Sequence, residues 1–215
     1  MVRFFAEFFG SLFLLLMIVG SGVMAERLAS GNEALALLCN TIATGLGLFV
    51  LIRVLGPVSG AHFNPCVSLI KRLEGEITIG DFFGYVLAQI SGAVLGVLLV
   101  HLMFGLDVFQ VSTHVRGGFN LAISELIATF GLMFVILAGA SRKDETLPVQ
   151  VSCYVASAYW FTSSTAFSNP AVTFARTFTN TFCGIAPGSL VPFFVAQIMG
   201  AILAFAAFRL LNRIA

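Results

Sequence analysis

The sequence predicts an all-α membrane protein with six transmembrane helices and two re-entrant half-helices, folded as an inverted repeat. Three observations carry that reading. Hydrophobic residues make up 59% of the 215-residue chain and charged residues only 10%, at a mean hydropathy of +1.01; a soluble domain carries about 25% charge. Apolar stretches of spanning length, about 20 residues, recur along the chain. Two Asn-Pro pairs, Asn64-Pro65 and Asn169-Pro170, each lie among small residues between such stretches. An Asn-Pro pair stops an extended segment and starts a helix, because Pro suits the first turn, where its missing N–H is no loss. The Asn ahead of it caps that helix and still presents a side-chain amide.

The spans fall in order at about 4–25, 35–56, 81–103, 121–140, 147–167 and 189–211, and the segments at about 64–73 and 169–180 are too short to cross. The first span has Arg3 ahead of it and Val23-Met24-Ala25 behind it, which imitates a secretory signal. Glu7 inside the run, and the return of the same pattern later, mark it instead as a retained helix. Non-helical backbone at membrane depth is tolerated where protein or a water-filled path surrounds it. The whole chain, 1–215, therefore reads as a single channel domain.

Repeat one covers about 1–115 and repeat two about 116–215. Ala6-Glu7-Phe8-Phe9-Gly10 corresponds to Ser124-Glu125-Leu126-Ile127-Ala128, Asn64-Pro65 to Asn169-Pro170, and Ala88-Gln89-Ile90-Ser91-Gly92-Ala93 to Ala196-Gln197-Ile198-Met199-Gly200-Ala201. The offsets between Glu7 and Glu125, Asn64 and Asn169, and Gln89 and Gln197 are 118, 105 and 108 residues, so order is kept while loops vary. Three spans per half is odd, so the halves insert in opposite orientations, with the functional site near the midplane. Gly92-x-x-x-Gly96 and Gly200-x-x-x-Ala204 predict close helix packing. Arg3, Lys71, Arg72, Arg142, Lys143, Arg209 and Arg213 share one side and Arg27, Arg116 and Arg176 the other, with Arg53 near the inner end of the second span. That bias puts both termini in the cytoplasm.

Several classes are excluded. A net charge of +1 without a basic run longer than a pair argues against nucleic acid. Cys39, Cys66, Cys153 and Cys183 lack metal-ligand spacing. With no nucleophile–base pair, phosphate loop or metal cluster in the sequence, an enzyme and a cofactor are not expected. Each half-helix points its partly positive N-terminal end at the midplane, which opposes cations, and the Asn64 and Asn169 amides interrupt a proton-conducting chain of water. The midplane set is Asn64, Pro65, Cys66, Asn169, Pro170 and Ala171.

On these motifs the chain resembles the aquaporin (major intrinsic protein) family over essentially its whole length. The resemblance implies a pore in each protomer, a homotetramer in the lipid bilayer, and loops braced by Glu7 and Glu125, the alternative for an intramembrane carboxylate being a proton relay. It also places four outer-filter positions by counting from the motifs: Thr44, Ser157, Ala166 and Val172. A water filter carries a large aromatic, His, a small residue and Arg there. This set predicts a wider ring without fixed charge, passing glycerol-type polyols, metalloid hydroxides and water. Val172 resembles a bacterial branch associated with arsenic resistance, which implies undissociated arsenite as a solute and a bacterial plasma membrane as the location. Arg176, one turn beyond Val172, either lines the outer vestibule or snorkels to headgroups. His62 either faces the inner mouth or is a satisfied loop histidine. Cys66 and Cys153 either face the pore or are inert buried thiols; Cys39 is the weakest such candidate, and its neighbour Asn40 either lines the outer mouth or bonds between helices. His101 and His114 read as solvated outer-loop residues. The competing classes are a water-selective pore and a secondary transporter built on the same repeat.

Overall fold

The computed structural model describes residues 1–142 and 144–214, without the side chains of 213 and 214. Lys143 and the side chain of Arg213, both used in the charge count above, therefore lie outside the described residues. Every regular element among those described is helical: α1 (Val2–Leu28), α2 (Glu33–Ser59), α3 (Pro65–Leu73), α4 (Ile79–Phe104), α5 (Phe119–Ser141), α6 (Leu147–Phe161), α7 (Pro170–Ala175) and α8 (Leu190–Ile214). Short 3-10 turns at Arg176–Phe178 and Pro187–Ser189 follow α7 and precede α8.

Local chemistry sets the boundaries. Asn32 caps α2 by accepting the Leu35 N–H at 3.0 Å, and Thr78 with Asp81 forms a reciprocal capping box on α4. Gly60 and Gly105 stop α2 and α4 in left-handed conformations, φ +87° and +65°, that other residues adopt only with strain. Pro65 and Pro170 open α3 and α7, as the Asn-Pro reading requires.

Five helices, α1, α2, α4, α5 and α8, are long and apolar enough to cross a bilayer. The remaining span, fifth in chain order, differs from expectation. Helix α6 stops at Phe161, six residues short of the expected 167, and its 15 residues rise about 22 Å. Thr162 turns extended there, and Ser164 is anchored to α5 by its N–H donating to Ser124 Oγ at 3.1 Å. The chain from Thr162 to Asn169 re-enters the protein as a turn followed by irregular backbone, with Thr165, Ala166 and Ser168 left-handed, and an apolar window cannot distinguish that from helix.

Packing repeats in the two halves. Helix α1 lies against α4 and α2, α5 lies against α8, and α2 meets α6 across the repeat boundary. The half-helices cross over as well, α3 reaching α8 and α7 reaching α4. Without a hydrophobic force between helices in lipid, close backbone approach supplies the packing. A Cβ at Gly92 would meet the Phe8 carbonyl, one at Gly96 the Leu12 carbonyl, and one at Gly200 the Leu126 carbonyl. The small-residue pairs are thus where α1–α4 and α5–α8 touch. His101 departs from its expected solvated state: it is fully buried, with Nδ1 2.8 Å from the Val108 carbonyl and Nε2 2.9 Å from Thr179 Oγ1. The loop after α4 folds back over the end of its own helix and encloses it. His114 is exposed, as expected.

Candidate functional site

The two half-helix N-termini meet in a reciprocal clasp. Asn64 Oδ1 accepts the Cys66 N–H at 2.9 Å, and Asn169 Oδ1 accepts those of Ala171 and Val172 at 3.0 and 3.3 Å. Each amide nitrogen then donates across the repeat boundary: Asn64 Nδ2 to the Ser168 carbonyl and Asn169 Nδ2 to the Phe63 carbonyl, both at 2.8 Å. An amide carries two N–H donors, so each Asn spends one on the clasp and keeps one for the conduit.

Behind the clasp, both re-entrant segments hold left-handed backbone at residues other than glycine: Ala61 and Phe63 at φ +50° and +49°, Ala166 and Ser168 at +47° and +48°. Such conformations cost roughly 1–2 kcal/mol each, and buried carboxylates hold them. Glu7 accepts the His62 and Phe63 N–H groups at 2.9 and 2.7 Å, and Glu125 those of Phe167 and Ser168, both at 2.8 Å. Gln89 and Gln197 donate to the same two carboxylates, at 2.8 and 2.7 Å. From there they reach Ser68 and Thr173, the equivalent hydroxyls of the two half-helices. With these bonds taken up by loop backbone, the geometry matches bracing and leaves the carboxylates facing no path for a relay.

A cavity of about 210 Å³ passes between the clasped Asn residues. One wall is apolar, built by residues such as Leu14, Ile18, Leu48, Leu132, Ile136 and Val151. The polar side chains are spaced along it: His62 and Lys71 toward one mouth, Asn64, Asn169 and Ser168 at the middle, Thr44, Tyr159 and Arg176 toward the other, with Tyr154 on the α6 side. Pro65, Cys66, Pro170 and Ala171 share the midplane but do not line the cavity; they form the packed first turns behind it.

Of the four counted filter positions, Thr44, Ala166 and Val172 line the cavity and Ser157 does not. Ser157 is exposed on the outside of α6, its hydroxyl donating to the Cys153 carbonyl at 2.8 Å. The count fails because it crosses the irregular segment after Phe161, where residues do not advance at helical pitch. Helix α6 instead turns Val155, Ala158 and Tyr159 inward. Tyr159 is the residue that the count missed, and its only sequence signal is an aromatic two positions from the counted one. The Thr44 hydroxyl is buried and, among the described residues, has no hydrogen-bond partner, which leaves it available to a solute.

The ring has not lost its positive charge; the charge has moved. Arg176, only 5% exposed, lines the cavity, so it does not snorkel. Its Nε donates to the Cys183 carbonyl, and its guanidinium lies 3.4 Å from the centre of the Phe167 ring. Arg116, from the loop ahead of α5, also lies over Phe167, at 5.2 Å, and donates to the Gly184 carbonyl at 2.8 Å. Burial and the neighbouring Arg176 push the Arg116 guanidinium down to about 10, so it stays charged at neutral pH.

The cysteines are not in the conduit. Cys66 is buried behind Asn64, while Cys39 and Cys153 are exposed on the outer surface, Cys153 in an apolar groove between α2 and α6. Asn40 bonds between helices, donating to the Ile18 carbonyl at 2.7 Å and to Ser21 Oγ at 2.9 Å. His62 lines the cavity and is also held, its Nδ1 3.0 Å from Ser68 Oγ.

An all-helical membrane protein whose half-helices meet over one internal conduit is a channel. A family model described as Major intrinsic protein matches residues 1–160, and the chain belongs to that family, whose members are channels and not enzymes. The chain is 50% identical over 207 residues to the aquaglyceroporin AqpS of Rhizobium meliloti (strain 1021), across 96% of this chain and 88% of that protein. It is 31% identical over 152 residues to the glycerol uptake facilitator protein of Streptococcus pneumoniae (strain ATCC BAA-255 / R6), across 64% of each. Its fold matches the X-ray structure of the aquaglyceroporin from Plasmodium falciparum at a TM-score of 0.70, over 95% of this chain and 93% of that one, at 21% identity.

Proposed function

We propose that the chain, as one channel domain over 1–215, conducts small uncharged hydroxylated solutes passively: glycerol-type polyols, undissociated arsenite or similar metalloid hydroxides, and water. The observation that carries this reading is the cavity itself, with a continuous apolar wall facing a sparse line of donors. A polyol presents carbon to one side and hydroxyl to the other, and that division suits its shape. The Val172 motif and the similarity to AqpS support this solute class. Thr44, Ala166, Val172 and Tyr159, with Arg176, form the selective ring in this reading. The clasped Asn amides and half-helix dipoles exclude protons and cations. The Lys and Arg bias orients both termini to the cytoplasm of a bacterial plasma membrane, and a homotetramer is the expected assembly.

Tyr159 and Arg176 favour a second reading, because a phenol and a guanidinium in one ring narrow it toward water alone. Stopped-flow light scattering on proteoliposomes separates the two. Water, glycerol, urea and arsenite are compared at neutral pH, and glycerol and arsenite flux linear in concentration is expected. Water flux with glycerol excluded would establish the narrow filter, and saturable, gradient-coupled uptake a transporter.

A further inference from the structure

The two half-helices share more than their first two residues. Asn64, Val67 and Lys71 fall at the same intervals as Asn169, Val172 and Arg176, three and seven residues from the Asn. Spacing of three and then four keeps side chains on one face of a helix, and all six of these residues line the cavity. Because the repeats are inverted, their last members lie toward opposite mouths. Lys71 is thus the counterpart of Arg176.

The end of α3 holds Lys71 in place. Glu76 donates its N–H to the Lys71 carbonyl at 3.0 Å and Gly75 to that of Arg72 at 3.1 Å, with Gly75 left-handed at φ +82°. This is a Schellman closure, which brings the side chain three residues inside the helix against the one just beyond the glycine. That contact is usually apolar, but here it is an ion pair. Lys71 Nζ donates to Glu76 Oε1 and to Glu74 Oε2, both at 2.8 Å, and the side chain is only 13% exposed. An ammonium has three donors, and the two carboxylates take two.

We propose that Lys71 is a specificity-determining residue of the conduit: its remaining N–H donates to the oxygen of an uncharged hydroxylated solute at the mouth opposite Arg176. This rests on the channel reading above and extends it to the other end. The two mouths differ in kind. Arg176 has no carboxylate partner among the described residues and opposes cations, whereas the Lys71 charge is compensated by Glu74 and Glu76 and acts as a fixed donor. A solute entering there sheds water, and the fixed N–H replaces one of the lost bonds.

The test is Lys71→Met, which keeps an unbranched stem and removes the donor, beside Lys71→Arg, which keeps donors. Purified channels in proteoliposomes are assayed for water and glycerol permeability. For Lys71→Met, glycerol permeability is expected to fall about fivefold, the size of one lost hydrogen bond. Water permeability should fall less, because a water molecule keeps its neighbours in the file as partners; an unchanged elution volume of the purified variant certifies the fold, and Lys71→Arg should retain glycerol flux. An unchanged glycerol-to-water ratio in Lys71→Met overturns the assignment alone. A rise in glycerol flux also overturns it, since Lys71 would then be an obstruction. A wild-type channel that excludes glycerol overturns the solute reading and this inference together.

Discussion

At the residue scale, function concentrates where a polar group is buried without being fully used. Asn64 and Asn169 each keep one N–H, and Thr44 keeps a whole hydroxyl. Arg176 is the extreme case, a guanidinium inside the protein with a ring and one carbonyl for company. Two unit charges about 8 Å apart at an effective dielectric near 20 repel by roughly 2 kcal/mol, or about thirtyfold in cation entry. Arg176→Ala should therefore raise cation conductance across planar bilayers by at least tenfold, and Arg176→Lys should not. Equal conductance in the alanine variant and the wild type would remove Arg176 from the barrier. Its helical face was legible from the sequence, because Val172 and Arg176 are one turn apart, but its depth was not: vestibule and headgroups both stayed open, and burial against Phe167 decides between them. Tyr159 was not, because the residue that faces inward on α6 depends on where the helix ends, and no residue type marks that end.

At the scale of elements, the carboxylate–loop network and the glycine contacts do different work. Glu7 and Glu125 stabilise backbone that helices cannot supply, while Gly92, Gly96 and Gly200 let α1–α4 and α5–α8 approach to backbone distance. At Gly92 the obstructing group is a carbonyl, which cannot swing aside as a side chain can. Gly92→Ala should cost about 2 kcal/mol, measured as a lower unfolding midpoint in detergent. Gly56, with nothing near its Cβ position, is the control: Gly56→Ala should be neutral or raise the midpoint, because alanine favours helix. A Gly92→Ala midpoint matching wild type would contradict the close contact. These pairings were readable in advance, since small-xxx-small spacing reports directly on helix approach. The burial of His101 was not, because its partners Val108 and Thr179 come from loops whose path carries no periodic signal.

For the whole molecule, the inverted repeat was legible because matching motifs recur in the same order, and their offsets absorb the loop differences. What escaped was the assignment of faces to thiols, since a helix buried on several sides offers no polar face to count from. That assignment has a measurable consequence. With Cys66 and Cys183 buried and Cys39 and Cys153 on the outer surface, mercurial treatment should leave glycerol flux unchanged. Inhibition relieved by Cys153→Ser would place that thiol in the path after all.

The Asn clasp also bears on how the protein is made. Asn64 Nδ2 bonds to Ser168 and the Phe63 carbonyl to Asn169, partners more than 100 residues further along the chain. At synthesis rates of about 5–20 residues per second, the first re-entrant loop waits several seconds in the membrane before its partners exist. During that interval its polar backbone leans on partners within its own half, Glu7 first and Ser59 and Tyr85 beside it. The carboxylate brace is then a holding device for biogenesis as well as a prop for the finished pore, and neither half on its own contains a completed midplane.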